Sequence, residues 1–141
     1  TMCWISEDMP IKMIAEKDIP VFKIVKKTTW GSNYESIYYR KVYYLGEKAT
    51  SGIKFCDTYT IEKGLHSYLP EVKIILEKGL IFIEDISERY MDSFDEEYYE
   101  LAKMNCIIPK GSQYYVNERG EVVSNQLKVI GFEEINEKIT N

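Results

Sequence analysis

Lys103-Met104-Asn105-Cys106-Ile107-Ile108-Pro109-Lys110-Gly111-Ser112-Gln113-Tyr114-Tyr115-Val116 is the stretch on which the fold turns. It reads as a buried strand, a Pro-Lys-Gly turn and a second strand returning, because Pro and Gly punctuate two apolar and aromatic runs. Cys106, with Ile107 or Ile108, should therefore lie in the core. The stretch carries no chemistry by itself.

Working towards the N-terminus, residues 20–27 interleave Val21, Phe22, Ile24 and Val25 with Lys23, Lys26 and Lys27, which predicts a strand. Trp30-Gly31-Ser32-Asn33 reads as a loop. Residues 35–45 predict one longer strand. Ile37, Tyr39, Lys41, Tyr43 and Leu45 fall on one face, with Tyr38, Arg40, Val42 and Tyr44 on the other. A weaker strand covers 54–60. At Ser67 the pattern changes. Ser67 has the chemistry of a helix N-cap, and Pro70 is tolerated in a first helical turn. Leu69, Val72, Ile75 and Leu76 follow at helical spacing, and Gly79 supplies a stop.

Residues 84–100 hold eight acids (84, 85, 88, 92, 95, 96, 97 and 100) against Arg89 alone. Ile83, Ile86, Tyr90, Phe94, Tyr98 and Leu101 recur there every three or four positions. The segment therefore predicts an amphipathic helix over 84–103, broken near Ser93, where Ser93 and Glu96 make a capping box. Three strands close the chain, over 104–109, 113–116 and 127–132, with a turn at Asn117-Glu118-Arg119-Gly120. Strands, helices and strands again give the expectation of an α+β fold. Its mixed or mainly antiparallel sheet would curl against one or two helices.

The chain has 141 residues, 45% of them hydrophobic and 29% charged, so a single domain over 1–141 with its own core is expected. The net charge of −5 makes direct nucleic-acid binding a poor expectation, since phosphate backbones require a basic face. No apolar run has the length of a membrane span. Met2 reads as the natural start and Thr1 as a residue added ahead of it. The acidic N-terminal stretch lacks an apolar signal core. Cys3, Cys56 and Cys106 are odd in number and far apart, which argues against disulfides or a cysteine-based zinc site and for a reducing cytoplasm.

Candidate chemistry is sparse. His66, the single histidine, stands before Ser67, where the free amides of a helix start would favour an anion. The plain alternative is that both residues cap and pack. Lys110 and Gly111 sit in a tight turn whose amides and ammonium could hold a phosphate, or which could simply reverse the chain. Arg40 and Tyr115 are further candidates for a ligand site. The doubled tyrosines should send one ring to each side of a strand. No Gly-x-Gly-x-x-Gly follows a strand, and no phosphate-loop or nucleophile-elbow motif is present. No catalytic residue, metal or cofactor is therefore expected.

Met2-Cys3, Ala15-Glu16-Lys17-Asp18-Ile19, Gly64-Leu65-His66-Ser67-Tyr68 and Cys106-Ile107-Ile108-Pro109-Lys110-Gly111-Ser112 carry a resemblance. Together with 124–130 they resemble a family of small uncharacterised proteins of gut Bacteroidetes and their prophages. The resemblance implies a cytoplasmic, single-domain protein and implies no activity. The strand ending in Ile-Pro-Lys-Gly, the Tyr-Tyr strand and Leu127-Lys128-Val129-Ile130 are also similar to the last hairpin of ADP-ribosyltransferases. That similarity implies an early cofactor-gripping residue, for which Lys23 and His66 are stand-ins. It also implies a catalytic glutamate where this chain has Asn125 and Gln126. A neutral amide cannot stabilise an oxocarbenium-like centre as a carboxylate does.

The leading expectation is thus a non-enzymatic accessory or interaction protein with an unknown protein partner. The first rival is a protein that binds a nucleotide-like or phosphate anion near His66 and Lys110, of which a degenerate ADP-ribosyltransferase-like protein is one form. The second is an acidic inhibitor or DNA mimic acting through 84–100.

Overall fold

Every regular element among the described residues of this computed structural model is a β-strand. The structure describes residues 3–28, 33–37, 41–77, 80–83 and 99–135. The strands are β1 (Trp4–Ile5), β2 (Met13–Ile14), β3 (Ile19–Thr28), β4 (Tyr34–Ser36) and β5 (Val42–Tyr43). They continue with β6 (Lys48–Thr50), β7 (Lys54–Asp57), β8 (Thr60–Lys63), β9 (Leu65–Tyr68) and β10 (Ile74–Glu77). The last are β11 (Leu80–Ile83), β12 (Tyr99–Ile108), β13 (Gln113–Val116), β14 (Glu121–Ser124) and β15 (Gln126–Glu134). All pairings are antiparallel. Among the described residues no helix is long and apolar enough to cross a membrane.

The α+β expectation is therefore corrected to all-β. Ser67 caps nothing: it lies within β9, opposite Val122 of β14. Pro70 marks the end of that strand, where Leu69 N–H donates to the Gly120 carbonyl at 2.9 Å. The apolar spacing of 69–76 suited a helix. However, Val72, Ile74 and Ile75 are β-branched, and stiffness at χ1 favours the pleated state. Residues 74–77 instead pair with β11. Gly79 and most of the acidic helix, 84–98, lie outside the described residues. The end of that helix, from Tyr99 onward, is strand β12, paired with β3 from Tyr99↔Thr28 to Ile108↔Ile19.

Two expected strands are split. Residues 35–45 become β4 and β5, which pair through Tyr34↔Tyr43 and Glu35↔Val42. Residues 54–60 turn at Tyr59, whose N–H donates to Asp57 Oδ1 at 2.9 Å, and feed β8. β14 was absent from the sequence expectation. The strands expected at 20–27, 113–116 and 127–132 are present as β3, β13 and β15.

The central sheet runs β2-β13-β14-β9-β3-β12-β15-β6, with β4 and β5 appended to β3. β12 and β13 are joined by only four residues, yet three strands separate them in this order. The 103–116 stretch is thus not a hairpin. β14 and β15 are joined by Asn125 alone and are likewise three strands apart. Such short links require the sheet to curl until its path comes round on itself. A bulge between Asn105 and Cys106 in the β12–β15 pairing adds bend where it is needed.

The inner face of the curl gathers Val21 and Val25 of β3 with Ala102, Met104, Cys106 and Ile108 of β12. Val122 of β14 and Leu127 and Val129 of β15 complete it. The outer face carries a second cluster of Phe22, Ile24, Tyr68 and Leu101. Period-two alternation explains the division, and both long strands are apolar on both faces because both faces are covered. A small sheet, β1-β8-β7, packs through Trp4 and Ile61 onto Val123. Trp4 Nε1–H donates to the Glu121 carbonyl at 2.9 Å, which ties this sheet to β14.

Two stability outcomes follow from this packing. Ile108 is fully buried, so Ile108→Ala should cost about 2–5 kcal/mol in urea unfolding. Ile130→Ala, at a half-exposed position, should cost under about 0.5 kcal/mol. Asn125→Ala removes the acceptor of the Gln113 N–H at the corner and should cost about 1–3 kcal/mol. Gln126→Ala beside it should cost under about 0.5 kcal/mol, and equal losses at 125 and 126 would refute the corner's role.

Candidate functional site

Parity along β3 sets the site. Lys23 lies between Val21 and Val25 and is paired with Met104, so it points to the inner face among apolar side chains. A cleft of about 490 Å³ opens there, within the size range of small-ligand sites. It is lined by Lys23, Ser36, Lys41, Tyr43, Glu47 and His66, with residues 48–51, 64 and 65 completing the rim. β4 and β5 bring Ser36 and Tyr43, β6 brings Lys48, and β9 brings His66.

Lys23 Nζ donates to the His66 carbonyl oxygen at 3.3 Å. No carboxylate among the described residues pairs with it. Part of its stem remains open to the cleft, but burial of the amine pulls its pKa down from 10.5 to about 8, only partly opposed by Cys106. Burial also pushes the Cys106 thiol up to about 12 in spite of nearby Lys23. Tyr43 is driven up to about 12, first by burial and then by Cys106 and Glu47, so its hydroxyl remains a proton donor at neutral pH. Glu47 is different. Burial raises its carboxyl, but the hydrogen bonds from Lys41 and the Tyr44 N–H hold it below the usual range. Lys41 is thereby engaged by Glu47, and it also lies 5.4 Å over the Tyr43 ring.

The residues singled out from sequence divide. His66 lines the cleft, but burial, and then the Lys23 charge, lower its pKa to about 4. At neutral pH it offers a neutral imidazole and no positive charge, and no helix start stands beside it. Ser67 is 3% exposed, and its hydroxyl has no hydrogen-bond partner. Lys110 and Gly111 do not line this cleft. The turn's amides are already taken: Lys110 N–H donates to Asp18 Oδ1 at 2.9 Å and Gly111 N–H to the Ala15 carbonyl at 2.8 Å. An acid of the chain itself occupies the place foreseen for an anion. Tyr115 packs against Trp4 and, edge-on at 5.2 Å, against Phe55. Arg40 lies outside the described residues. Among the described residues no group of three or more His, Cys, Asp or Glu could hold a metal.

Tyr43 and Glu47 were not singled out by the sequence reading, and Lys23 entered it only as a stand-in for a cofactor-gripping residue. The signal for Lys23 was present, since it shares alternation parity with Val21 and Val25 and is a lysine on an apolar face. Tyr43 and Glu47 needed the β4–β5 pairing, which spacing alone does not reveal.

A pH signature follows for Lys23. Between about 8 and 10.5 the unfolded chain keeps a proton that the folded chain has released, so stability rises with pH across that window. Below about 8 both states are protonated and the fold bears the whole cost of a desolvated ammonium. Lys23→Met should therefore be more stable than the parent at pH 7, by about 1–3 kcal/mol. The gap should close as pH climbs from 8 towards 10.5. Urea melts at a series of pH values measure it, and a gap independent of pH would contradict a desolvated amine.

No protein-family model, curated protein or solved structure matches this chain.

Proposed function

We propose that this protein is a non-enzymatic binding module whose curled sheet holds a small oxyanion, a carboxylate or a phosphate, against Lys23. One observation carries the reading: a half-buried lysine, without a carboxylate partner among the described residues, lines a cleft large enough for a metabolite. An anion placed there supplies the missing counter-charge and restores the pKa of Lys23 towards its ordinary value. Lys41 adds positive charge at the rim, where Glu47 is the one carboxylate among the described residues. Tyr43 and Ser36 line the same space and are residue types that make polar contacts. The ligand-binding alternative thus moves ahead of the accessory-protein expectation, with Lys23 in the place once given to Lys110. A reducing cytoplasm fits its three free thiols, and the bacterial or prophage setting rests on the resemblance of 64–68 and 106–112.

The interaction-protein reading retains one observation in its favour. Met9, Ile11, Met13 and Ile14 are all exposed, along and just before the edge strand β2.

Melting curves with acetate or inorganic phosphate, at constant ionic strength, decide between these readings. The parent should gain several degrees by mass action, because the folded state alone presents the cleft. Lys23→Met should lose that response, and Lys110→Ala should keep it. No response in the parent would overturn the oxyanion reading and leave the β2 surface in front.

A further inference from the structure

We propose that Lys23 is a nucleophilic amine, and that the cleft captures a small carbonyl compound bearing a carboxylate, such as a 2-oxo acid, as an imine on its Nζ. The inference rests on the oxyanion reading and narrows its ligand to one chemical class. Three features of the cleft support it. Lys23 is bound by one long hydrogen bond of 3.3 Å to a carbonyl, in which its N–H is the donor, so the nitrogen lone pair is not consumed. No carboxylate among the described residues locks the amine as an ammonium. The hydroxyls of Tyr43 and Ser36 and the carboxylate of Glu47 line the same cleft, as groups able to move protons.

The chemistry balances without an oxidant or reductant. The neutral amine attacks the carbonyl carbon and a C–N bond forms. The carbonyl π electrons move to oxygen, which takes a proton. The tetrahedral carbinolamine then loses its hydroxyl as water after a further proton is delivered to it. The nitrogen lone pair closes the C=N bond, and the lost N–H protons return to the cleft or solvent. The net change is amine plus carbonyl giving imine plus water. Tyr43 is suited to the proton delivery, because its hydroxyl stays protonated in its buried position. Lys41, which lines the cleft over the Tyr43 ring, offers a charge to the carboxylate of the compound.

Desolvation makes the amine available near neutrality. With its pKa near 8 against 10.5, Lys23 holds roughly two hundredfold more neutral amine at pH 7.5 than an exposed lysine. Buried lysines with lowered pKa serve as Schiff-base residues for this reason.

Borohydride trapping tests the proposal. The full chain is incubated with pyruvate at pH 7.5, reduced with sodium cyanoborohydride, digested and mapped by mass spectrometry. One dominant adduct on Lys23 is expected, labelled roughly tenfold or more above any other lysine. Excess acetate should suppress it. Lys23→Met, checked by its melting curve to be folded, should give no dominant adduct. Labelling spread over surface lysines such as Lys54 and Lys110, or an unchanged yield in Lys23→Met, would overturn the proposal. Acetate stabilisation that depends on Lys23, without a Lys23 adduct, would overturn imine capture alone and leave the oxyanion reading standing. Failure of both measurements would remove both.

Discussion

The corner at Asn125 is the constraint from which the architecture follows. A single residue joins β14 to β15, and its groups replace a strand's pairing. Its N–H donates to the Gln113 carbonyl at 3.1 Å, its side-chain oxygen accepts from the Gln113 N–H at 2.9 Å, and its carbonyl accepts from the Ser51 N–H at 3.0 Å. Asparagine suits the position because its short side chain can stand in for a backbone acceptor. With these groups satisfied, the chain can turn sharply without leaving buried polar atoms unpaired. The turn carries Val122 on one side and Leu127 and Val129 on the other into the same cluster. Immediately before Gln113 in the chain, Ser112 closes the 109–112 turn, its N–H and hydroxyl both donating to the Pro109 carbonyl.

A sheet curled this tightly has an inner face with no alternative to burial. Any residue of the right parity enters it, whatever its polarity. Lys23 is the residue for which this is unfavourable. Its stem fills space that Met or Leu could fill, yet its amine must be desolvated, and among the described residues the His66 carbonyl alone accepts a hydrogen bond from it. The same confinement depresses His66 and raises Tyr43 and Cys106, always in the direction that removes charge. One buried amine thus stands in a neutral environment at the edge of an apolar cluster. Groups held in this way are costly to folding, and such costs concentrate where a site requires them.

Alternation was the part of the fold legible in sequence. It placed the strands of 20–27, 113–116 and 127–132, and it divided the tyrosine pairs correctly where they are described. Tyr43 is buried and Tyr44 exposed, while Tyr114 packs on the inner cluster and Tyr115 on Trp4 and Phe55. What alternation could not settle was 67–77. Leu69, Val72, Ile75 and Leu76 satisfy a helical period, and a Ser before a Pro imitates a helix start. Long-range pairing of β9 with β14 decided the matter, and no local spacing encodes it. The same limit hid the separation of β12 from β13, since a Pro-Lys-Gly turn looks alike whether the strands it joins are neighbours or not.

The site failed to appear in the sequence for a related reason. The whole-chain charge of −5 directs attention away from anionic ligands, and a lone histidine attracts it. Both cues act at the wrong scale. Net charge governs solubility and long-range steering, whereas a ligand in a cleft meets only the groups that line it. Among the described residues those groups include Lys23, Lys41, one carboxylate and a histidine held neutral. The carboxylate is already engaged by Lys41, which leaves Lys23 facing the space. An acidic protein can therefore carry a locally cationic cleft. Lys110, by contrast, sits in a turn whose amides its own chain has already satisfied with Asp18 and Ala15. The lysine that matters is the one the fold isolates from acids, and it can be identified only once the strands are paired.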